Sequence, residues 1–494
     1  MTATLTRPVV VTTPASIDGT GLDELLDAVT VAGGLLRIAV PDGDLGVAAR
    51  FDACGSDHAA TRAPIEIVND AIEVVARPGD FVLAPSRTAL RLAELGCLPL
   101  DGPVLPSDAH NAVGHLAAAT GWTRIEWIAE CRMGSGYADE ARMFLQALDT
   151  AGLEPALTGY ANPAPRVALG SETERLLRRC EARRPAEQTA IGVWHEKPID
   201  PRHLQGRRRR VCRTMFETDA LPREWVAPLN GFDRIWVPTP FNLETFERAG
   251  VRPDLMRVLP GTIDLTRFTA QAPPRRLPGA EGFTFLSNFT FQERKGWREL
   301  LQAYVLEFAG DEGVTLALKL STGFVSAQEI RARVDAFIEG LGVPASRRPR
   351  IVIAHQEVSD IEMAGFYTGC DAYVSPTRGE GWGRPMMEAL ACGCPTIASR
   401  WSGQLSFLDD AHAWLVDGEV VPVPDDIDNE TFRGQRWFAP DLDALRGAMR
   451  AVASDPAAAR ARAAAARPWL EAEFGLPAIA ERLADLALEA LSCP

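Results

Sequence analysis

The stretch Ser375–Ser399, SPTRGEGWGRPMMEALACGCPTIAS, decides how this chain is read. A strand ending at Ser375 runs into glycines 379, 381 and 383, and a helix then opens with Pro385, whose missing N–H costs nothing in a first turn. A glycine-rich turn feeding a helix N-terminus is an anion site, because free backbone N–H groups and the positive end of the helix dipole face the ligand. The helix is apolar nearly all round (Met386, Met387, Ala389, Leu390, Ala391), which predicts burial. Glu388 is set among these residues, and a buried carboxylate is costly unless something pairs with it. Complementing the helix dipole is the bland account of Glu388. A second acid, Glu380, stands inside the glycine turn itself and favours a ligand-binding role for both.

Working outward, α/β alternation surrounds this segment. Strands are predicted at Phe283–Ser287, Thr315–Leu320, Ile351–Ala354, Ala372–Ser375 and Thr396–Ser399, with helices at Gly296–Phe308, Gln328–Gly340, Asp360–Cys370 and Pro385–Cys392. Upstream, Ala270–Gly282 (AQAPPRRLPGAEG) reads as a linker. Before it lies a second α/β set. It has strands at Arg124–Glu130, Glu154–Leu157, Thr189–Trp194, Val211–Phe216 and Arg234–Val237, and helices at Ala138–Thr150 and Phe241–Ala249. The first 120 residues hold candidate strands at Pro8–Thr13, Leu35–Val40 and Asp80–Ala84 and helices at Leu22–Val31, Thr88–Leu95 and Asp108–Ala119. The tail, Asp455–Leu491, reads as helices broken at Pro468 and Pro477. The expected division is 1–120, an accessory α/β domain; 121–272 and 273–454, two doubly wound domains; and 455–494, C-terminal helices that return to the first of those two.

The 494 residues are long enough for about three domains, and 46% apolar with 24% charged residues is an ordinary globular balance. A net charge of −15 argues against nucleic acid as a partner. No apolar run approaches the roughly 18 residues of a membrane span. Met1–Ser16 lacks the apolar core of a secretory signal, and the nine scattered cysteines suit a reducing cytoplasm, so a cytoplasmic location is expected. Only Lys197, Lys295 and Lys319 interrupt the arginines among 51 basic residues, so a lysine beside a motif stands out. Arg207–Arg210 reads as an exposed loop; contact with an acceptor phosphate or the inner face of a membrane is the sharper alternative. Glu217-Thr-Asp219 follows a strand on the cleft side. It reads as a turn or helix cap, with an acidic acceptor patch as the alternative.

The segment GEGWGRPMMEALACGCPTIAS, with Glu380 and Glu388 in the spacing E-x7-E, resembles the signature of family-4 retaining glycosyltransferases with the GT-B fold. LPGTIDLTRF (259–268), WVPTPFNLETFERAGV (236–251), ERKGWRELLQAY (293–304) and RWFAPDLDALRGAMR (436–450) resemble further family segments, so the likeness runs from about residue 122 to the end. It implies two Rossmann-like domains facing a cleft and transfer of a sugar from a nucleotide-diphosphate donor to a hydroxyl on a glycan, lipid-linked or other acceptor. It also implies Glu388 on the ribose, Glu380 near the transferred sugar, and Gly381, Trp382 and Gly383 along the sugar and diphosphate. Lys295 matches the diphosphate lysine. Ser287-Asn288 stands where many relatives have Gly-Arg, and Arg294 is the candidate replacement cation. His195 matches a histidine often near the donor sugar, with a buried structural histidine as its alternative. Gly134 and Gly136 lie in a loop that relatives use around diphosphate and acceptor. No metal and no bound cofactor are expected. The rival functions are a phosphorylase or sugar-nucleotide epimerase of the same fold, or a non-catalytic subunit that binds nucleotide or glycan.

Overall fold

The computed structural model describes residues 8–12, 35–39, 65–69, 72–76 and 122–492, apart from 124, 161–165, 186–189, 312, 322–324, 356–357, 360 and 428. The four N-terminal segments are strands β1 (Pro8–Thr12), β2 (Leu35–Ala39), β3 (Ile65–Asn69) and β4 (Ile72–Ala76). They form one sheet in the order β1-β2-β3-β4, parallel except for β4, which runs antiparallel to β3. β3 and β4 are additions to the sequence reading. The strand expected at Asp80–Ala84 and the three helices expected before residue 120 lie outside the described residues.

The next unit contains β5 (Ile125–Ile128), α1 (Gly136–Thr150), β6 (Ala156–Thr158), α2 (Ser171–Ala182), β7 (Ile191–His195) and β8 (Arg209–Arg213). It continues through α3 (Arg223–Leu229), β9 (Arg234–Val237), α4 (Pro240–Ala249) and β10 (Met256–Val258). Its six strands are all parallel, in the order β10-β9-β8-β7-β5-β6. The reversal of winding falls between β5 and β7. Such strands are covered on both faces, which explains why β5 and β9 are buried along their whole length. Gly250, with φ of 103°, closes α4 in the left-handed conformation that glycine adopts at no steric cost.

The second doubly wound unit contains β11 (Phe283–Thr290), α5 (Trp297–Glu307), β12 (Val314–Ser321), α6 (Ala327–Gly340), β13 (Arg350–Ala354) and α7 (Met363–Gly369). It continues through β14 (Ala372–Ser375), α8 (Arg384–Ala391), β15 (Thr396–Ser399) and β16 (Trp414–Val416). The strand order is β13-β12-β11-β14-β15-β16, again all parallel, with the reversal between β11 and β14. Open parallel sheets bind ligands beyond the carboxyl ends of their strands at this reversal. The segments after β11 and β14 contain Lys295 and Glu380, so the topology itself brings these two residues together.

An antiparallel hairpin, β17 (Gly418–Pro422) and β18 (Arg436–Pro440), follows. The chain ends in α9 (Leu442–Ser454), α10 (Pro456–Ala464), α11 (Arg467–Phe474) and α12 (Leu476–Ser492). α12 returns to the first doubly wound unit, where Ile479, Leu483, Ala487 and Leu491 share a core with Phe144 and Leu148 of α1. The arginine run docks this helix. Arg208 and Arg209 donate to the carbonyls of Leu491 and Ala490 in its last turn, while Arg207 pairs with Glu126 and Arg210 with Asp233. Cations at a helix C-terminus meet unsatisfied carbonyls and the negative dipole end. The run is therefore a helix cap and not a bare exposed loop. The linker is also held: Arg275 N donates to Gly365 O at 2.7 Å and Leu277 is buried.

Candidate active site

Lys295 ends a single turn of 3-10 helix after β11, and Gly296 follows with φ of 67°. A Cβ at Gly296 would lie 2.0 Å from the carbonyl oxygen of Pro376, so only glycine lets the Lys295 turn lie against the segment after β14. There Lys295 Nζ donates to Glu380 Oε1 at 2.6 Å, and Thr377 Oγ1 donates to the same oxygen at 3.0 Å. Arg294 lies beside them, buried, with Nη1 3.2 Å from Glu380 Oε2, and it also donates to the carbonyl of Gly379. Burial would raise the Glu380 pKa, but Lys295 and Arg294 outweigh it and hold the carboxyl at about 2. Burial draws the Lys295 ammonium below its ordinary value, against the pull of Glu380. An ammonium has three donors, and the bond to Glu380 uses one.

Glu388 lies on α8, one face away. Tyr367 Oη donates to its Oε2 at 2.8 Å, and Asn288 Nδ2 donates to Tyr367 Oη at 3.3 Å. Asn288 thus supports Glu388 through Tyr367. Arg384 Nη2 is 3.5 Å from Glu388 Oε1, but its stronger partner is Asp139 on α1, which accepts from Arg384 Nε at 2.6 Å. Burial dominates at Glu388 and pushes its pKa up to about 7, with Arg384 pulling the other way. The two glutamates share one loop and helix yet are shifted in opposite directions, because Glu380 meets two cations and Glu388 meets a cation already committed elsewhere.

The glycine turn packs directly on the first unit. A Cβ at Gly379 would meet Glu217 O at 2.0 Å, and one at Gly381 would meet Met215 Cγ at 2.6 Å. Gly383, with φ of 97°, is the N-cap of α8, and no side chain caps that helix. Trp382 turns inward. It is buried between Phe407 (ring centroids 5.0 Å apart) and Phe474 (5.6 Å), and a Cβ at Gly261 would strike its Nε1. Its indole therefore anchors the turn.

At the first unit's reversal, His195 is wholly buried. Trp127 Nε1 donates to His195 Nδ1 at 3.0 Å, which places the ring hydrogen on Nε2, donated to Glu140 Oε2 at 2.9 Å. Arg213 grips Glu140 with two bonds of 3.0 and 2.7 Å. Burial lowers the His195 pKa, while Arg213 and His195 outweigh burial at Glu140 and bring its pKa to about 2. Both ring nitrogens of His195 are engaged inside this network. Gly134 approaches Val167, and Gly136 opens α1, whose N-cap Ser135 accepts from Ala138 N at 3.1 Å. Asp219 accepts from Arg436 N and so pins β18, whereas Glu217 Oε1 reaches Arg294 Nη2 at 3.1 Å. The acidic pair after β8 thus divides: one acid is structural and the other lies in the cleft.

Four partners escaped the sequence reading: Tyr367, Arg384 and Asp139, together with the pairing of Glu217. The only early signal, charge in the first turn of a buried helix, pointed to Arg384 and Asp139 alone. Arg384, at the first position of an apolar helix, opposes the dipole unless an acid answers it.

A cavity of about 1200 Å³ adjoins this site between α1, the N-terminus of α2, residues 264–275 and the start of α7. Arg142, Gln146, Asp264, Arg267 and Glu362 line it, and Ile361, 62% exposed, lies at its wall. Arg267 connects the cavity to the site, being 3.9 Å from Asp139 and close enough to lower the Glu388 pKa. Among the described residues, no group of His, Cys, Asp and Glu is arranged to hold a metal ion, and no helix is long and apolar enough to cross a membrane.

Residues 281–429 match the family described as glycosyl transferases group 1. D-inositol 3-phosphate glycosyltransferase from Rhodococcus opacus is 31% identical over 215 residues, 41% of this chain and 42% of the relative. The enzyme of that name from an Arthrobacter species is 29% identical over 171 residues, 33% and 39% of the two chains. Glycogen synthase from Mycobacterium tuberculosis is 30% identical over 151 residues, 30% and 32%. The chain spans about two fifths or less of the length of these relatives. In fold it is similar to sucrose-phosphate synthase from Thermosynechococcus elongatus, with 19% identity, TM-score 0.52, and coverage of 74% of this chain and 98% of the other. It is also similar to a glycosyltransferase from Rickettsia africae, with 12% identity, TM-score 0.51, and coverage of 75% and 100%. The chain has the GT-B fold, and its residues 281–429, which carry Lys295, Glu380 and Glu388, are similar to the group 1 glycosyl transferases.

Proposed function

We propose that this protein is a retaining glycosyltransferase that moves a sugar from a nucleotide-diphosphate donor to an acceptor hydroxyl, in the synthesis of a glycan, glycolipid or polysaccharide. The observation that carries the proposal is the Lys295–Glu380 contact of 2.6 Å at the strand reversal of the group 1 domain. A cation and a carboxylate so placed suit the two halves of a nucleotide sugar. Lys295 and Arg294 neutralise the diphosphate, and Glu380 accepts from the sugar hydroxyls. Glu388, fixed by Tyr367, takes the ribose hydroxyls, and the adjoining cavity receives the rest of the nucleoside. The names of the relatives, an inositol-phosphate glycosyltransferase and a glycogen synthase, support a polyol or glycan hydroxyl as acceptor.

In the reaction, the bond from the anomeric carbon to the diphosphate oxygen breaks and the bond to the acceptor oxygen forms on the same face. The acceptor proton passes to the departing diphosphate. The protein's part is positioning and charge stabilisation, the second supplied by Lys295, Arg294 and backbone N–H groups of the glycine turn. Trp382 holds that turn from behind, and His195 with its partners sets the opposing wall.

Lys295→Ala and Glu388→Ala are each expected to lower turnover of the accepted nucleotide sugar by about 10²-fold while the protein stays folded, checked by a cooperative thermal transition. A screen of UDP-, GDP- and ADP-sugars by thermal shift identifies the donor for that assay. Unchanged turnover in both folded variants overturns the proposal.

A further inference from the structure

We infer that Glu217 stands in for the donor's diphosphate: a carboxylate of the first doubly wound unit that holds Arg294 while the site is empty and that the incoming diphosphate displaces. This rests on the donor reading above. Glu217 follows β8, and its Oε1 lies 3.1 Å from Arg294 Nη2 across the cleft. Arg294 is buried at 7% exposure and is also bonded to Glu380 and Gly379, so it is a fixed cation and not a swinging surface one. Glu217 acts electrostatically on Lys295 as well as on Arg294. Two cations, Arg294 and Lys295, thus meet two carboxylates, Glu380 and Glu217. A buried guanidinium without a counter-charge is strongly unfavourable, and the facing unit supplies one.

The same construction recurs at the second glutamate, where Asp139 of the first unit grips Arg384, which in turn approaches Glu388. Each glutamate of the E-x7-E pair is therefore joined through an arginine to an acid on the opposite wall. A diphosphate adds two negative charges to a cluster that is already balanced. It sits on Arg294 and Lys295 at least cost when one carboxylate leaves. Glu380 is held by Lys295, Arg294 and Thr377, whereas Glu217, with 24% of its side chain exposed, pairs with Arg294 and has a path to solvent. Glu217 is thus the carboxylate that gives way.

The test is calorimetric titration of UDP, GDP and ADP into the full chain, its Glu217→Gln and Arg294→Gln variants and the double variant, at pH 8. Removing the competing charge while keeping the side-chain shape is expected to tighten the preferred diphosphate about fivefold in Glu217→Gln, since like charges side by side oppose binding. The gain is expected to vanish in the Arg294→Gln background. Glu217→Asp, which keeps the charge and shortens the reach, is expected to fall between parent and Gln variant, and it serves as the readout should the Gln variant fold poorly. Unchanged or weaker binding by a folded Glu217→Gln overturns the stand-in role alone. A parent protein that binds none of the three diphosphates overturns the donor reading and this inference with it.

Discussion

The two strand reversals use the same kind of residues for opposite ends. At the first, between β5 and β7, Glu140, Arg213 and His195 are buried to 0–1% exposure and satisfy one another with Trp127 and the carbonyl of Leu259. At the second, between β11 and β14, Lys295 keeps 17% of its side chain exposed, and Arg294 reaches out of its own unit to Glu217. A charge network closed on itself fixes a helix to a sheet. A network with donors left over, open toward a cleft, is able to hold a ligand. The fold makes both positions equally suitable for binding, and the degree of closure of the network separates them.

That contrast can be broken by substitution. Glu140→Ala leaves Arg213 without its counter-charge and the His195 N–H without its acceptor, and is expected to cost about 3–5 kcal/mol of folding stability in urea denaturation. Lys295→Ala, which leaves Glu380 with Arg294 and Thr377, is expected to cost less stability than that and to reduce turnover. If both variants lose stability alike, the two reversals are not different in kind.

A smaller effect separates the two glutamates of the second reversal. Glu388 titrates at about 7 because burial outweighs Arg384, so it loses its charge below neutral pH. Affinity for the nucleotide sugar that the thermal-shift screen selects, whose diphosphate has no ionisation in that range, is expected to fall by up to about tenfold per pH unit below 7. Glu388→Gln is expected to flatten the profile, measured by calorimetry between pH 5.5 and 8. The stability sign follows from the same raised pKa: the folded form holds the Glu388 proton more tightly than the unfolded chain, so stability falls as pH rises from the ordinary carboxyl range to about 7. Glu380 has the opposite sign, with its stabilisation present above the ordinary range and lost as pH falls toward about 2. The smallest expected change is at the docking of α12. Arg209→Ala removes one donor to a last-turn carbonyl and is expected to cost about 1 kcal/mol in thermal denaturation.

Much of the architecture was legible from local pattern. Arg234–Val237, Ala372–Ser375 and Thr396–Ser399 are strands as read, since short β-branched runs between turn residues leave little choice. The breaks near Pro468 and Pro477 fall where a helix interior would lose a bond. α2 went unread because only Leu176, Leu177 and Cys180 of its 12 residues are buried, too narrow a stripe amid charge. Of the hairpin, only β18 lies in a segment read as family-like (436–450) and β17 went unread, because their pairing depends on residues 14 or more positions apart.

The sequence by itself determined the glycine turn, the buried helix after it, the spacing of Glu380 and Glu388 and the prominence of Lys295. These follow from backbone sterics and periodicity, which act over a few residues. Tertiary structure alone decided what each charge does. Lys295 and Glu380 are 85 positions apart, and Arg384 and Asp139 are 245 apart. Electrostatic energy depends on distance and burial in space, so the same residue type became an ion-pair partner at Glu380, a neutral-range acid at Glu388 and a closed structural contact at Glu140.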